Sequence, residues 1–127
     1  MKNRTRQASL TMANFQAVCV SAAIVLGVVP QLAYASPESI AAGEQLASDR
    51  KLGNCYSCHK VVGAELTGNA GPPLIAMKSR FPDRAVLRAQ IADPRVRNPN
   101  TIMPPYGAHS ILTEWQLDQL VDYVLSL

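Results

Sequence analysis

The stretch Cys55-Tyr56-Ser57-Cys58-His59 places two thiols and an imidazole within five residues. The C-x-x-C-H spacing is that of covalent c-type haem attachment. Residues three and four apart share a face on one helical turn, so Cys55, Cys58 and His59 can all reach one planar macrocycle. The two sulfurs would form thioethers with the vinyl groups of a single haem c. His59 would offer a neutral imidazole nitrogen to the iron, leaving the opposite axial position for another side chain.

Other chemistries fit these residues less well. A thioredoxin-like dithiol belongs to a βαβ scaffold, and the chain shows no convincing strand run. Structural zinc needs four ligands, and beyond residue 35 only Cys55, Cys58, His59 and His109 are available, two of them adjacent in sequence. A Cys55–Cys58 disulfide would close a small strained loop and leave His59 without a role.

The sixth ligand decides what such a haem can do. Met77, Met103 and His109 are the candidates, and Met103 is the best placed. It precedes Pro104-Pro105 and Gly107, a stiffened loop suited to holding a thioether over a flat ring, with Gly107 expected to permit a turn. On the His59 side, a ligating imidazole donates its other N–H to a carbonyl or carboxylate. Gly71-Pro72-Pro73-Leu74 is expected to supply the Pro72 carbonyl, with Leu74 packed on the ring. Tyr106 could reach a haem propionate or lie over the ring edge, and Tyr106, Met77 and Lys60 are candidates for lining the exposed edge.

These residues need a scaffold, and the pattern predicts an all-α one of three to four short helices and loops. Ser36 caps a first helix, with Pro37 at its first position and Glu38 in its first turn. That helix runs towards Ser48 with Ile40, Gly43, Leu46 and Ala47 on one side, and Gly43 suits either a close contact or a tolerated glycine. Val61 to Arg80, with Gly63, Gly68, Gly71 and Pro72-Pro73, reads as loop. Asp83 caps a short helix that Asp93-Pro94 ends. Arg95 to Ala108 reads as extended or turning. The last helix begins at Thr113 with Gln116 as capping-box partner and Leu112 and Leu117 as staple. Its apolar stripe is Leu117, Leu120, Val121, Val124 and Leu125. Trp115 is expected to pack or to hydrogen-bond near the haem.

The first 35 residues read as a cleaved secretory signal. Lys2, Arg4 and Arg6 precede an apolar run from Ala17 to Val29, and Ala33-Tyr34-Ala35 is an A-x-A-like site with cleavage after Ala35. The run of about thirteen residues falls short of the roughly twenty that a permanent membrane span requires. Cys19 would leave with it, and the domain would be residues 36–127 in the periplasm. The formal charge of +3 reflects 12 basic and 9 acidic side chains. The leader takes three of the basic ones and leaves nine of each, so nothing points to nucleic acid.

Across essentially all of residues 36–127, from the first helix through the haem motif, the Gly71-Pro72 loop and the methionine loop to the final helix, the chain resembles the class I cytochromes c, and within them the SoxX family, the monohaem subunits of SoxAX cytochromes in thiosulfate oxidation. Beyond the haem motif, the resemblance is carried by Ile91-Ala92-Asp93-Pro94-Arg95 and by Asn98-Pro99-Asn100-Thr101-Ile102-Met103-Pro104-Pro105-Tyr106-Gly107. It implies a heterodimer with a SoxA-like monohaem or dihaem cytochrome. That partner would carry the L-cysteine S-thiosulfotransferase active site, where thiosulfate is joined to a carrier-protein cysteine. This chain would have no catalytic residues, and would pass the released electrons from a His59/Met103 haem to a soluble cytochrome. A free-standing cytochrome c between respiratory complexes is the alternative, and a haem sensor would need an open sixth position.

Overall fold

The computed structural model describes residues 35–127. The basic leader, its apolar run and Cys19 therefore lie outside the described residues. Helix α1, Pro37–Ser48, starts where the Ser36 side chain accepts the Ser39 N–H at 3.1 Å and Pro37 presets the first turn. The haem motif follows as a 3₁₀ turn, Cys55–Ser57, entered through Asn54 in the left-handed region at φ 47°. The Cys55 carbonyl accepts from the N–H groups of both Cys58 (3.2 Å) and His59 (2.9 Å), so the motif closes on itself.

Two segments expected to be irregular contain short helices. Helix α2, Met77–Arg80, is a single turn that no capping side chain announces, since Ala76 at its N-cap is left-handed. Tertiary contact holds it instead, the Met77 N–H donating to the Leu127 carbonyl at 2.9 Å. Pro94–Val96 forms a 3₁₀ turn, because the Asp93 side chain that follows the preceding helix also accepts from the Arg95 N–H. That preceding helix, α3, is Arg84–Ala92, capped by Asp83 and ended by Asp93-Pro94.

Helix α4, Glu114–Ser126, carries a complete capping box. Gln116 N–H donates to Thr113 Oγ1 at 3.2 Å, and Thr113 N–H donates to Gln116 Oε1 at 2.9 Å. Leu112 and Leu117 are both buried, as a staple requires. Leu117, Leu120, Val121 and Val124 form the buried stripe, joined by Tyr123, while Leu125 is half-buried. Trp115 departs from expectation: it is 70% exposed and neither packs in the core nor approaches the site. The first turn of α4 projects it outward from the face opposite the stripe.

The described residues form an all-α fold without strands; Val61 and Leu74 make one isolated parallel bridge. Helices α1 and α4 cross in direct backbone contact at Gly43. A Cβ there would overlap the Gln119 carbonyl oxygen and lie 2.6 Å from Tyr123 Cβ. Above the crossing, Ser39 Oγ donates to Asp122 at 2.6 Å, and Asp122 also accepts from Arg84 of α3 at 2.9 Å. Arg84 and Arg88 share Asp118, and Arg88 reaches Glu114, tying α3 along α4. The Arg88–Glu114 pair is solvent-exposed and sets orientation more than stability, whereas the bonds to Asp118 and Asp122 are partly buried. No helix among the described residues is long and apolar enough to cross a membrane.

Alanine for glycine in an unobstructed helix stabilises by about 1 kcal/mol. Gly43→Ala is expected to do the opposite, destabilising the holoprotein by about 1–3 kcal/mol through overpacking. Denaturant unfolding measures the sign, and a gain in stability would show that the two helices have room to spare.

Candidate haem site

The loop after the haem motif is laced back along it. Gly68 N–H donates to the Tyr56 carbonyl at 2.7 Å, Gly71 N–H to Cys58 at 2.8 Å, and Leu74 N–H to Lys60 at 2.8 Å. This lacing brings the Pro72 carbonyl oxygen to 2.7 Å from His59 Nδ1. With the proton on Nδ1, His59 donates to Pro72 and leaves Nε2 free to bind a metal. Gly71 makes the approach possible. A Cβ at residue 71 would lie 2.7 Å from His59 Nδ1 and 2.9 Å from Nε2, so any side chain would displace the ring.

His59 borders a cavity of about 500 Å³. Cys55 and Cys58 share its wall, and Leu74 continues that wall from the loop. Leu87 and Ile91 of α3 and Leu120 and Val124 of α4 make the apolar back, and Met103 lines the cavity from the loop between α3 and α4. Two thiols and an imidazole on one wall, a thioether on another and hydrocarbon between them suit a flat apolar macrocycle with iron at its centre. Burial pushes the Cys55 thiol up to about 11. A nucleophilic redox cysteine is a depressed thiol, the opposite of the shift at Cys55.

The three candidates for the sixth ligand separate. His109 is exposed, hydrogen-bonded to Arg95 Nη1 at 3.1 Å, and is not among the cavity-lining residues. Met77 lines the cavity, but it is buried in α2 with its sulfur 3.3 Å from Arg80 Nη1. Met103 is half-buried, and its backbone N–H is fixed by Thr101 Oγ1 at 3.1 Å. Gly107 lies in the expected turn, but its φ is not positive. A Cβ on it would sit 3.0 Å from Ala92 Cβ, and Gly107 and Ala108 both donate to the Ala92 carbonyl at 3.0 Å, so the glycine serves close packing of the loop on α3.

Tyr106 is buried, and its hydroxyl donates to the Gly53 carbonyl at 2.5 Å, which commits it to the protein rather than to a propionate. Burial pushes its hydroxyl up to about 12. Met77 and Tyr106 are thus interior residues and do not form an exposed edge, whereas Lys60 is exposed. Reading the motifs alone overlooks Arg80, the one Lys or Arg among the described residues that lines the cavity, whose guanidinium donates to the Pro73 carbonyl at 2.7 Å. No short motif marks it; only the turn of α2 brings it there.

A family model described as cytochrome c oxidase, cbb3-type, subunit III matches residues 38–124. The chain belongs to this cytochrome c family. As a cytochrome c domain it binds haem c covalently, and Cys55, Cys58 and His59 form the matching C-x-x-C-H motif. A crystal structure of SoxXA from P. pantotrophus is similar in fold, with a TM-score of 0.61 at 23% identity, covering 68% of this chain and 79% of that chain. The architecture is that of class I cytochromes c. No curated protein matches the sequence.

Tyr106 gives this cytochrome a testable pH dependence. Its hydroxyl titrates higher in the folded state than the value near 10 of an unfolded tyrosine, so its stabilising effect is complete below about pH 10 and disappears as pH rises towards about 12. Tyr106→Phe is expected to remove about 2 kcal/mol of that alkaline loss, read as the difference between wild-type and variant unfolding curves at each pH. Parallel curves across this interval would mean that the hydroxyl is not buried as described.

Proposed function

We propose that the chain is a periplasmic electron-transfer subunit whose haem iron is held between His59 and Met103. The observation that carries this reading is the cavity itself, with His59 oriented by Pro72 on one wall and Met103 on another, while His109 is turned to solvent. When bound, the haem supplies one-electron chemistry at a potential that a thioether ligand raises. The protein orients the imidazole through Pro72, presents the thioether from the Met103 loop and surrounds both with Leu87, Ile91, Leu120 and Val124. Held by both residues, a haem iron would have no position left for an external ligand, so the chain's own residues would serve electron transfer alone.

The leader supports export: a basic start, a short apolar run and a small-residue site before Ser36 would deliver residues 36–127 to the compartment where the thioethers form. Within that setting the chain acts as the SoxX-like partner of a SoxA-like cytochrome. It accepts electrons released when thiosulfate is joined to a carrier cysteine and hands them to a soluble cytochrome. The fold likeness to SoxXA and the Asp93-Pro94 and Met103-Pro104-Pro105-Tyr106-Gly107 segments support this over a free-standing carrier. Since both thiols of the domain belong to the haem motif, sulfur-transfer chemistry must reside on the partner.

Met103→Ala is expected to lower the reduction potential and to open the iron to external ligands such as imidazole. An unchanged spectrum and potential would remove Met103 from the axial role. Affinity purification of the tagged protein from its host grown on thiosulfate, with haem staining, tests the complex. A larger c-type cytochrome in equal amount supports the SoxAX assignment, and elution alone with a six-coordinate haem makes the protein a free carrier.

A further inference from the structure

A second concavity, a groove of about 600 Å³, shares no lining residue with the haem cavity. One wall is α1, where Ala41, Glu44, Gln45 and Ser48 recur at helical spacing and are all exposed. The other wall is the loop of residues 61–65. Tyr56 and Tyr123 make the floor, their hydroxyls joined at 2.5 Å. Tyr56 stands between the two cysteines, so the floor belongs to the turn that would carry the haem.

The charge of the groove has one sign. Glu44 and Glu65 line it, and among the described residues no Lys, Arg or His does. Burial first, then the bond to Tyr56 and the nearby Glu44 charge, hold the Tyr123 hydroxyl well above its ordinary range, so the floor stays uncharged. Two carboxylates beside aromatic rings suit an ammonium or guanidinium, which gains from both.

The rim distinguishes a protein from a small cation. Val62 is 75% exposed and Leu66 91% exposed, and Leu66 is held at φ 55°, a left-handed conformation rare for a bulky residue. The loop that carries them is anchored at both ends. Val61 bridges to Leu74, and Gly68 N–H donates to the Tyr56 carbonyl at 2.7 Å. A braced loop that projects two aliphatic side chains into water beside an acidic seat has the composition of a protein interface. Because the loop is already ordered, a partner that covers it loses little to ordering.

We infer that this groove is where the stable partner subunit docks, laying a Lys or Arg between Glu44 and Glu65 over the Tyr56 and Tyr123 rings and covering Val62 and Leu66 with apolar side chains. The inference rests on the SoxX-like reading proposed above and names the surface through which that complex forms. A subunit seated here adjoins the haem-bearing turn, while exposed Ile102 at the haem cavity stays open to a second, soluble partner. Electrons can then arrive on one side and leave on another without the complex coming apart.

The test is capture of the larger c-type cytochrome by the tagged holoprotein over a series of salt concentrations, with the captured protein identified by mass and quantified by haem stain. Glu44→Lys combined with Glu65→Lys is expected to reduce capture about tenfold or more at low salt. Leu66→Asn, which suits the left-handed backbone but has no apolar reach, is expected to reduce it about three- to tenfold. Glu44→Gln combined with Glu65→Gln is expected to fall between wild type and the charge reversal and to flatten the salt dependence, which a folding defect would not do. Trp115→Ser, on the exposed face of α4, is expected to capture like wild type, and every variant to keep the wild-type haem spectrum. Full capture by the groove variants overturns the inference, as does a loss confined to Trp115→Ser. Wild-type homodimers that the groove variants split also overturn it, the occupant then being a second copy of this chain. A wild type that elutes alone as a monomer overturns the SoxX-like reading itself, and the inference with it.

Discussion

The imidazole of His59 is held between a carbonyl and a glycine, and most of the chain's irregular structure exists to keep that grip. The Pro72 oxygen accepts from Nδ1 on one side, while Gly71 leaves no atom where a Cβ would strike the ring. Each carbonyl from Tyr56, Cys58 and Lys60 meets an N–H of the loop that follows, so the loop cannot drift without breaking the turn bearing the cysteines. Pro72 and Pro73 have no N–H to satisfy, which lets an exposed stretch pass under the site without an orphaned donor. A ring fixed in this way presents one nitrogen in one direction, which a metal ligand needs more than strength.

The helices serve that arrangement with little material. Residues 36–127 amount to about 92, a size at which a chain alone buries a modest fraction of its surface. A cavity of about 500 Å³ in the middle would be a severe defect in so small a core, were a rigid apolar group not meant to occupy it. The contact at Gly43 compensates from the other side by letting two backbones touch, and Leu46, Ala47, Leu120 and Val121 close around it. Leu120 belongs to both regions: it packs in the core cluster and lines the cavity, so haem and helix crossing are mechanically linked.

What was legible in the sequence is what is decided locally. Ser36, Asp83 and Thr113 each sit within three residues of the N–H they accept, and Asp93-Pro94 stops a helix by sterics alone. The haem motif is likewise a five-residue signal. The turn at Met77–Arg80 was hidden because its anchor is the carbonyl of Leu127, fifty residues away. Gly107 lies in a turn as the motif suggested, but what excludes a side chain there is packing against Ala92, a contact that only the docking of the loop on α3 creates. Trp115 belongs to a good helix in the right register, yet nothing local says that its face of α4 meets no neighbour. Arg80 was invisible for the same reason, since a cavity-lining position has no sequence signature until the walls are assembled.

The two walls of the cavity are built on unlike principles, and the difference bears on electron transfer. On the His59 side, short-range hydrogen bonds between neighbouring segments define the ligand, and the motif itself carries them. On the Met103 side the loop is fixed at its ends, by Ala92 and by the Asp93 turn, and by Thr101 just before the sulfur. A thioether on a three-torsion side chain in such a loop has rotational freedom that an imidazole gripped by Pro72 lacks. The histidine wall is thus fixed by bonds within its own segment, whereas the methionine wall depends on how its loop docks on α3.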